Sequence, residues 1–595
     1  MAGELPRRRL LKASVAAGIT GIAGCTGGSE TTQSDTTSDS STEVSTAAAT
    51  TEEADGTRDR IAVIEAYADR VLSKGRDRWS GVGTPLLADG VHVDTDDPVV
   101  WRYDDEEYVI SNLASQQNLF RMLTGLSNLT GDSTYVDAAK DVIEFHYEKL
   151  DDGDAMARWG GHQFIDLGTL ESVGHFDADV HELKNHFPFY ELMWDVDEAE
   201  TASLLRTLWG AHVIDWSILD MNRHAGFGAE FSDPWGQSFA DPDPFFEGDG
   251  LTFINIGSDL IYAAGTLARL ADEQSAWDWG RELAGMYVDA RHPDTGLGAY
   301  QYSKPRREED PPEDEPLTGR LTYSDYGDRA ENQFGEQFGD VAREGWALWG
   351  WRLETIYVEN AFMQLTLAES MGADGEALLE WTADGLAALS EYGYMPSENA
   401  FRPMWADGTD LTGKTYDRTG YYGEEGTSWE PITADAEFLL TFARASRLTE
   451  RASLWETTRR IADGLGIGDI GERSEGTPAL AATVTDPTPT EIFALLELYR
   501  TTEQEAYLDR AERVADRLIE ERYHHGYFLP SAEHVHANFD TLEPLAILAL
   551  EATIRGEPEA VPAYVGGEGY IHGTFDDLGR VYDEEAIWSV TREES

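Results

Sequence analysis

From Arg58 onward, apolar residues recur at intervals of three and four, and they keep doing so almost to the end of the chain. Ile61, Ile64, Ala68 and Val71 mark the first such run. Others fall near 108–127, 134–149, 200–220, 253–270, 275–290, 354–371, 375–391, 430–446, 451–464, 488–501, 504–522 and 540–554. Short turns join many of them in pairs. In Leu129-Thr130-Gly131-Asp132-Ser133, Gly and Asp end one helix and Ser133 is placed to cap the next. The spacing predicts an all-α fold, an (α/α) barrel or toroid of six to seven helical hairpins around one centre. No alternating βαβ pattern and no glycine-rich phosphate loop competes with it. Long polar insertions at 293–345 and 396–429 exceed simple connections and are expected to build a cleft. The aromatic, alternating tail at 564–588 is expected to form a short β-hairpin.

Charge narrows the class. The chain holds 112 Asp and Glu against 45 Lys and Arg, a formal charge of −67, which a phosphate backbone would repel, so no nucleic-acid partner is expected. Disorder is not implied, because 41% of residues are hydrophobic and 17 are Trp. Acids scattered over a folded chain fit adaptation to high salt, where screening removes their repulsion. A polyanionic ligand would then need a locally positive cleft.

The first 25 residues read as an export signal. Pro6-Arg7-Arg8-Arg9-Leu10-Leu11-Lys12 precedes a small, apolar segment at 13–24, too short to span a bilayer, which needs about 20 apolar residues. The paired arginines resemble a twin-arginine signal, and Ile22-Ala23-Gly24-Cys25 resembles a lipoprotein box. Cys25 is the one cysteine of the chain, which excludes an internal disulfide and a thiol nucleophile in the mature domain. Residues 26–56, rich in Ser, Thr, Asp and Glu, form a solvated linker, and 57–595 form one catalytic domain. The expected setting is the extracellular face of the membrane, reached by twin-arginine export. The only membrane contact would be a lipid on Cys25, and the protein would act as a monomer.

Chemistry concentrates at 181–224, which holds four of the 14 histidines. It opens His181-Glu182-Leu183-Lys184-Asn185-His186-Phe187-Pro188 and ends Met221-Asn222-Arg223-His224; His162 lies upstream in Trp159-Gly160-Gly161-His162. A helix over 201–221 would set Leu205, Leu208, Trp209, His212, Val213, Trp216 and Leu219 on one stripe, making His212 a core histidine. Arg223 and His224 fall where that helix gives way. They either satisfy its last carbonyls or face a cavity together. His162 sits in a turn and Glu182 in a loop before a helix, and each has a purely structural reading as well. As ligands, two His and one Glu suit a transition metal better than calcium, because hard cations rarely choose imidazole.

The His-Glu-Leu-Lys-Asn-His-Phe-Pro-Phe-Tyr-Glu-Leu-Met-Trp run, His162 and the Leu-Asp-Met-Asn-Arg-His segment resemble the pectate lyases of polysaccharide lyase family 2. The resemblance implies an (α/α) barrel and a divalent transition metal, typically Mn2+, held by His162, Glu182 and His224. It also implies an arginine base, Arg223, directly before the second ligand histidine. The implied reaction is β-elimination on polygalacturonate or oligogalacturonides. A free guanidinium holds its proton to a pKa above about 12, so Lys184 is the reserve for base or clamp. Cations in or beside the insertions, Lys304, Arg329, Arg343 and Arg402, are candidates for binding substrate carboxylates. Tyr421, Tyr422 and Trp429, with Trp346, Trp349 and Trp351, are candidates for stacking on sugar rings. The rivals on one fold are another uronic-acid lyase and an unsaturated-glycuronyl hydrolase. A different class is a non-catalytic oligogalacturonide-binding lipoprotein.

Overall fold

Among the described residues of the computed structural model, fourteen helices of seven residues or more alternate between two environments along the chain. The structure describes residues 59–593 apart from 104–105, 151–154, 161–162, 175–179, 228–230, 232, 306–343, 418, 420–421, 474–475, 568–572, 575–580 and 583–584. The signal segment, Cys25 and the linker therefore lie outside the described residues. The odd-numbered helices are α1 Arg60–Gly75, α3 Thr134–Phe145, α5 Glu198–His212, α7 Gln274–Asp289, α9 Glu376–Tyr392, α11 Ala452–Gly464 and α13 Glu505–Arg522. The even-numbered ones are α2 Gln117–Thr130, α4 Tyr190–Val196, α6 Ile254–Ala271, α8 Ala361–Met371, α10 Ala436–Thr449, α12 Pro489–Thr502 and α14 Glu543–Ile554.

Sequence explains the alternation. In α13 only the stripe Tyr507, Leu508, Ala511, Val514, Ala515, Leu518, Ile519 (with Arg510) is buried, which places that helix on the outside. In α14 the run Pro544-Leu545-Ala546-Ile547-Leu548 is apolar on every face, and all of it is buried. In α6, every residue from Ile254 to Leu267 is buried. Helices of that kind belong inside, and they form the inner ring. Phe189, at the start of α4, donates its N–H to Gln117 of α2 at 2.7 Å. Tyr190 of α4 stacks on Tyr262 of α6 at 5.6 Å. The Arg444 guanidinium of α10 lies 4.5 Å over Phe362 of α8. α10 packs on α12, α12 on α14, and α14 back onto α2, closing an all-α barrel of seven hairpins among the described residues.

Buried ion pairs tie the wall together. Glu497 of α12 is 2% exposed and meets Arg444 at 2.9 Å, Arg447 at 2.6 Å and Arg500 at 3.3 Å. Burial alone would raise its carboxyl, but those three cations hold it at about 2. At the seam, Arg60 of α1 pairs with Glu512 and Asp516 of α13 and with Glu551 of α14.

Several local expectations change. The run expected near 108–127 is α-helical only from residue 117, after a short 3-10 helix at Leu113–Gln116; Glu106–Ser111 is a strand. Ser133 does not cap α3 with its side chain; Asp132 instead accepts from Thr134 N–H at 2.9 Å, and Gly131 closes α2 at φ +77°. Strands also have more to do than expected. β1 Val100–Tyr103, β2 Glu106–Ser111, β3 Gln163–Asp166 and β4 Ser172–Gly174 run antiparallel in that order. The tail pair Gly573–Thr574 and Val581–Tyr582, the hairpin expected at 564–588, extends the sheet beyond β1. Two further strands, β5 Val180–Glu182 and β6 His224–Gly226, pair with each other.

Candidate active site

The helix expected over 201–221 stops at His212. Val213 and Ile214 are β-branched and favour extended backbone. Asp215 then accepts from Ser217 N–H at 2.9 Å to turn the chain, and Leu219 takes φ +53°. Val213–Asp215 and Asp220–Met221 pair as a hairpin, so Arg223 and His224 leave a turn and enter β6 rather than a frayed helix. Glu182, expected in a loop, ends β5.

The ladder between these strands matches Val180 with Gly226, His181 with Ala225, and Glu182 with His224. Residues directly opposite in an antiparallel pair project to the same face. Glu182 Oε1 and His224 Nε2 accordingly stand 3.5 Å apart. Arg223 Nε lies 3.3 Å from Glu182 Oε1 and donates to His224 Nε2 at 3.2 Å. Because that nitrogen accepts, its lone pair, not a proton, faces the group. Two further bonds fix the turn. Leu183 N–H donates to Arg223 O at 3.1 Å, and His224 N–H donates to Asn222 Oδ1 at 3.1 Å. The side chains open outward in order: Glu182 is 0% exposed, Arg223 18% and His224 25%. Anything that reaches the group meets Arg223 and His224 first.

A backing layer holds these strands. Gly160 has φ +112°, and a Cβ there would lie 3.2 Å from Glu182 O, so the Gly160 backbone packs directly on β5. The Asn112 amide grips Gly160 from both sides, accepting from its N–H at 3.3 Å and donating to its carbonyl at 3.4 Å. Asp89 accepts from Asn112 N–H at 2.9 Å, and burial pushes its carboxyl up to about 8. After β5 the chain passes through two strained residues, Asn185 at φ +59° and Phe187 at φ +41°. Asp259 of α6 accepts there from His186 N–H at 2.8 Å and Phe187 N–H at 3.3 Å. Burial raises the Asp259 carboxyl to about 6, although His186 and the loop's backbone N–H groups oppose it. Arg121 of α2 donates to Phe187 O at 2.9 Å. Asn112, Asp259 and Asn222 were missed from sequence. Asn112 alone carried a signal, an Asn placed to cap the short helix that follows it.

The remaining candidates scatter. His162, Arg329, Arg343 and Tyr421 lie outside the described residues. Lys184 is half-buried two residues beyond Glu182. Lys304 sits on Ser303–Pro305, which pairs in parallel with Phe246–Gly248; a Cβ on Gly248 would meet the Asp220 carboxylate at 2.7 Å, so Phe246–Gly248 packs against the hairpin that leads to Arg223. Arg402 pairs with Asp410 at 3.1 Å. Trp429 is 5% exposed, 4.3 Å from the Tyr416 ring and 5.7 Å from Trp349, in a small second core. It fills a core rather than offering a face for sugar, which corrects its expected role. Tyr422 lies at the edge of the same core, under the Arg352 guanidinium. Trp351, 44% exposed, presents its ring to solvent.

The donor set suits a transition metal. A carboxylate oxygen and an unprotonated imidazole nitrogen 3.5 Å apart match two ligands that each reach about 2.1 Å to one ion. Glu182 and His224 are the two donors of the expected set that fall among the described residues, where no cluster of three or more His, Cys, Asp or Glu forms.

Residues 84–574 match the family described as periplasmic pectate lyase. The chain is 34% identical over 527 residues to a pectate disaccharide-lyase of Dickeya dadantii (strain 3937), covering 85% of this chain and 92% of that protein. Among solved structures, a cellobiose 2-epimerase of Bacillus thermoamylovorans overlaps 83% of this chain and 99% of its own, at 10% identity and a TM-score of 0.39. A GH76 α-mannanase of Bacteroides thetaiotaomicron overlaps 84% and 97%, at 9% identity and a TM-score of 0.39. Overlaps this loose do not bear on the chemistry.

Proposed function

This chain belongs to the periplasmic pectate lyase family and is a polysaccharide lyase of polygalacturonate, and from that premise we propose that Arg223 is the base of a metal-dependent β-elimination. His162, Glu182 and His224 would hold the divalent metal, with manganese as the ion that the donor set and the family resemblance favour. The observation that carries the reading is the register of β5 and β6, which sets Glu182 opposite His224 and the Arg223 guanidinium against both.

In the reaction, C5–H of a galacturonate is lost as a proton, its electron pair forms the C4–C5 double bond, and the C4–O bond breaks with the leaving oxygen taking a proton. A bound divalent metal supplies charge neutralisation at the substrate carboxylate, which acidifies C5–H. The chain's own residues do the rest. Glu182, fully buried, holds Arg223 Nε on its side at 3.3 Å, which orients the guanidinium; the His224 Nε2 lone pair, which accepts from Arg223 here, would turn to the ion when the metal is bound. To act as the base, Arg223 would first release a guanidinium proton to solvent and then take the C5 proton on a terminal nitrogen. Lys304, on the strand paired with Phe246–Gly248, is the candidate to attract a further carboxylate of the polymer. Twin-arginine export, a lipid on Cys25, a monomeric state and a salt-adapted surface complete the proposal, supported by the signal-like residues and the charge of −67.

The test is the ultraviolet absorbance of the conjugated unsaturated uronate. It is followed on polygalacturonate in high salt with manganese, with chelator, and with manganese restored. The expected result is a rise that chelator stops, manganese recovers and Arg223→Ala abolishes. A rise indifferent to both chelator and Arg223→Ala would remove the metal and base assignments. Absence of any rise with folded protein and several metals would remove the pectate reading.

A further inference from the structure

Behind the Glu182–His224 face lies a second pair of histidines. His181 projects from the opposite side of β5, and His212 ends α5; both are 0% exposed. His181 Nδ1 and His212 Nε2 are 2.9 Å apart, and His212 Nδ1 is 2.7 Å from Asn222 O. The carbonyl can only accept, so His212 donates through Nδ1. Being neutral, it accepts at Nε2, and His181 must donate through its own Nδ1. Asn222 N–H in turn donates to His212 O at 2.9 Å, so helix end and turn are locked in both directions. This ordering leaves His181 Nε2 as a bare lone pair. That atom and Trp159 Nε1 are both buried without a hydrogen-bond partner among the described residues, on rings 5.9 Å apart. One is an acceptor and the other a donor.

The members of this row occupy a telling set of positions. Asn222 immediately precedes Arg223, His181 immediately precedes Glu182, and Trp159 lies three residues before His162. We propose that His181 and His212 are positioning residues, a hydrogen-bonded strut that holds the turn bearing Arg223 and His224 against the strand bearing Glu182, with the Trp159 ring beside His181. The inference rests on the reading that Glu182, Arg223 and His224 carry the reaction. Packing alone does not need this pair. Apolar rings would fill the same volume without burying an imidazole nitrogen unmet, a desolvation cost that packing does not offset. The pair fixes direction as well as volume. A His–His–carbonyl row admits one arrangement of donors, hence one register between α5, the turn and β5.

The experiment uses His181→Phe, His212→Phe and the double variant, with His212→Asn as the conservative partner whose amide can still donate to Asn222 O. Manganese affinity is measured by calorimetry alongside kcat, KM and thermal melting. Manganese binding is expected to weaken about 10–100-fold, the range for lost outer-shell partners. kcat should fall with KM little changed, His212→Asn should recover part of both, and the double variant should lose no more than either single one. Variants that bind manganese and turn over like wild type would overturn the strut, as would losses that add in the double variant. If the Phe variants do not fold, His181→Asn and His212→Asn decide by the same readings. Glu182→Gln separates the two levels. If it leaves manganese binding and elimination intact, the functional reading fails; if it abolishes both while the strut variants change nothing, the strut alone fails.

Discussion

Glu182 and His224 are matched partners in a three-residue ladder, and the 3.5 Å between their donor atoms is a property of register rather than of either side chain. A slip of one residue would turn Glu182 to the far side of its strand and leave His181 facing the substrate. The chemistry therefore depends on whatever keeps this short pair from sliding.

Glu182→Gln tests the pair directly, because it keeps shape and removes charge. Manganese affinity is expected to fall by more than the roughly 100-fold that an outer-shell loss can cost, and elimination should vanish. Calorimetry and the unsaturated-uronate absorbance check it.

Gly160→Ala probes the backing layer. Any side chain there adopts φ +112° and places its Cβ 3.2 Å from Glu182 O. The strain is expected to cost about 1–3 kcal/mol of stability and to weaken manganese binding by shifting β5. Denaturant midpoints and metal titration measure the two effects separately.

Glu497→Gln should destabilise the barrel strongly, on the order of 3–5 kcal/mol, because it leaves the surrounding arginines without their shared buried anion. The pH dependence has a definite sign. The folded carboxyl at about 2 lies below its ordinary unfolded value near 4.3, so its contribution is complete above that value and is lost as pH falls towards 2. Melting temperature followed from neutral pH to about pH 3 should drop more steeply in wild type than in Glu497→Gln.

Salt should stabilise this protein. With a formal charge of −67, repulsion among surface acids is large at low ionic strength and is screened within about 3 Å at 1 M. The thermal midpoint is expected to rise with potassium chloride up to molar concentrations. An unchanged or falling midpoint would argue against salt adaptation.

Helices were legible because long elements average their periodicity over many residues. The runs at 253–270, 451–464 and 504–522 match α6, α11 and α13 to within a residue or two. The site's own secondary structure was not legible, since a strand such as Val180–Glu182 is too short to show a period of two. The apolar stripe through Val213, Trp216 and Leu219 mimicked a continuing helix where β-branched residues and an Asp-Ser turn had ended it. The candidate site drew notice through composition instead, as four histidines crowded into the stretch 181–224 of an acidic chain. Contacts between distant segments left no trace in either form. Nothing near Gly160 announces Asn112, and nothing near Trp429 announces that Tyr416 and Trp349 surround it.

The seam where Arg60 meets Glu512, Asp516 and Glu551 carries a consequence for how the molecule is made. Arg60, in the earliest described helix, finds its ionic partners only in α13 and α14, so this seam is completed late in synthesis. Closure of the ring therefore waits for α14, and a truncation short of it leaves the Arg60 seam unmade. A protein built this way gains from being finished before it is moved, and a translocon that accepts only completed folds would double as its quality inspector.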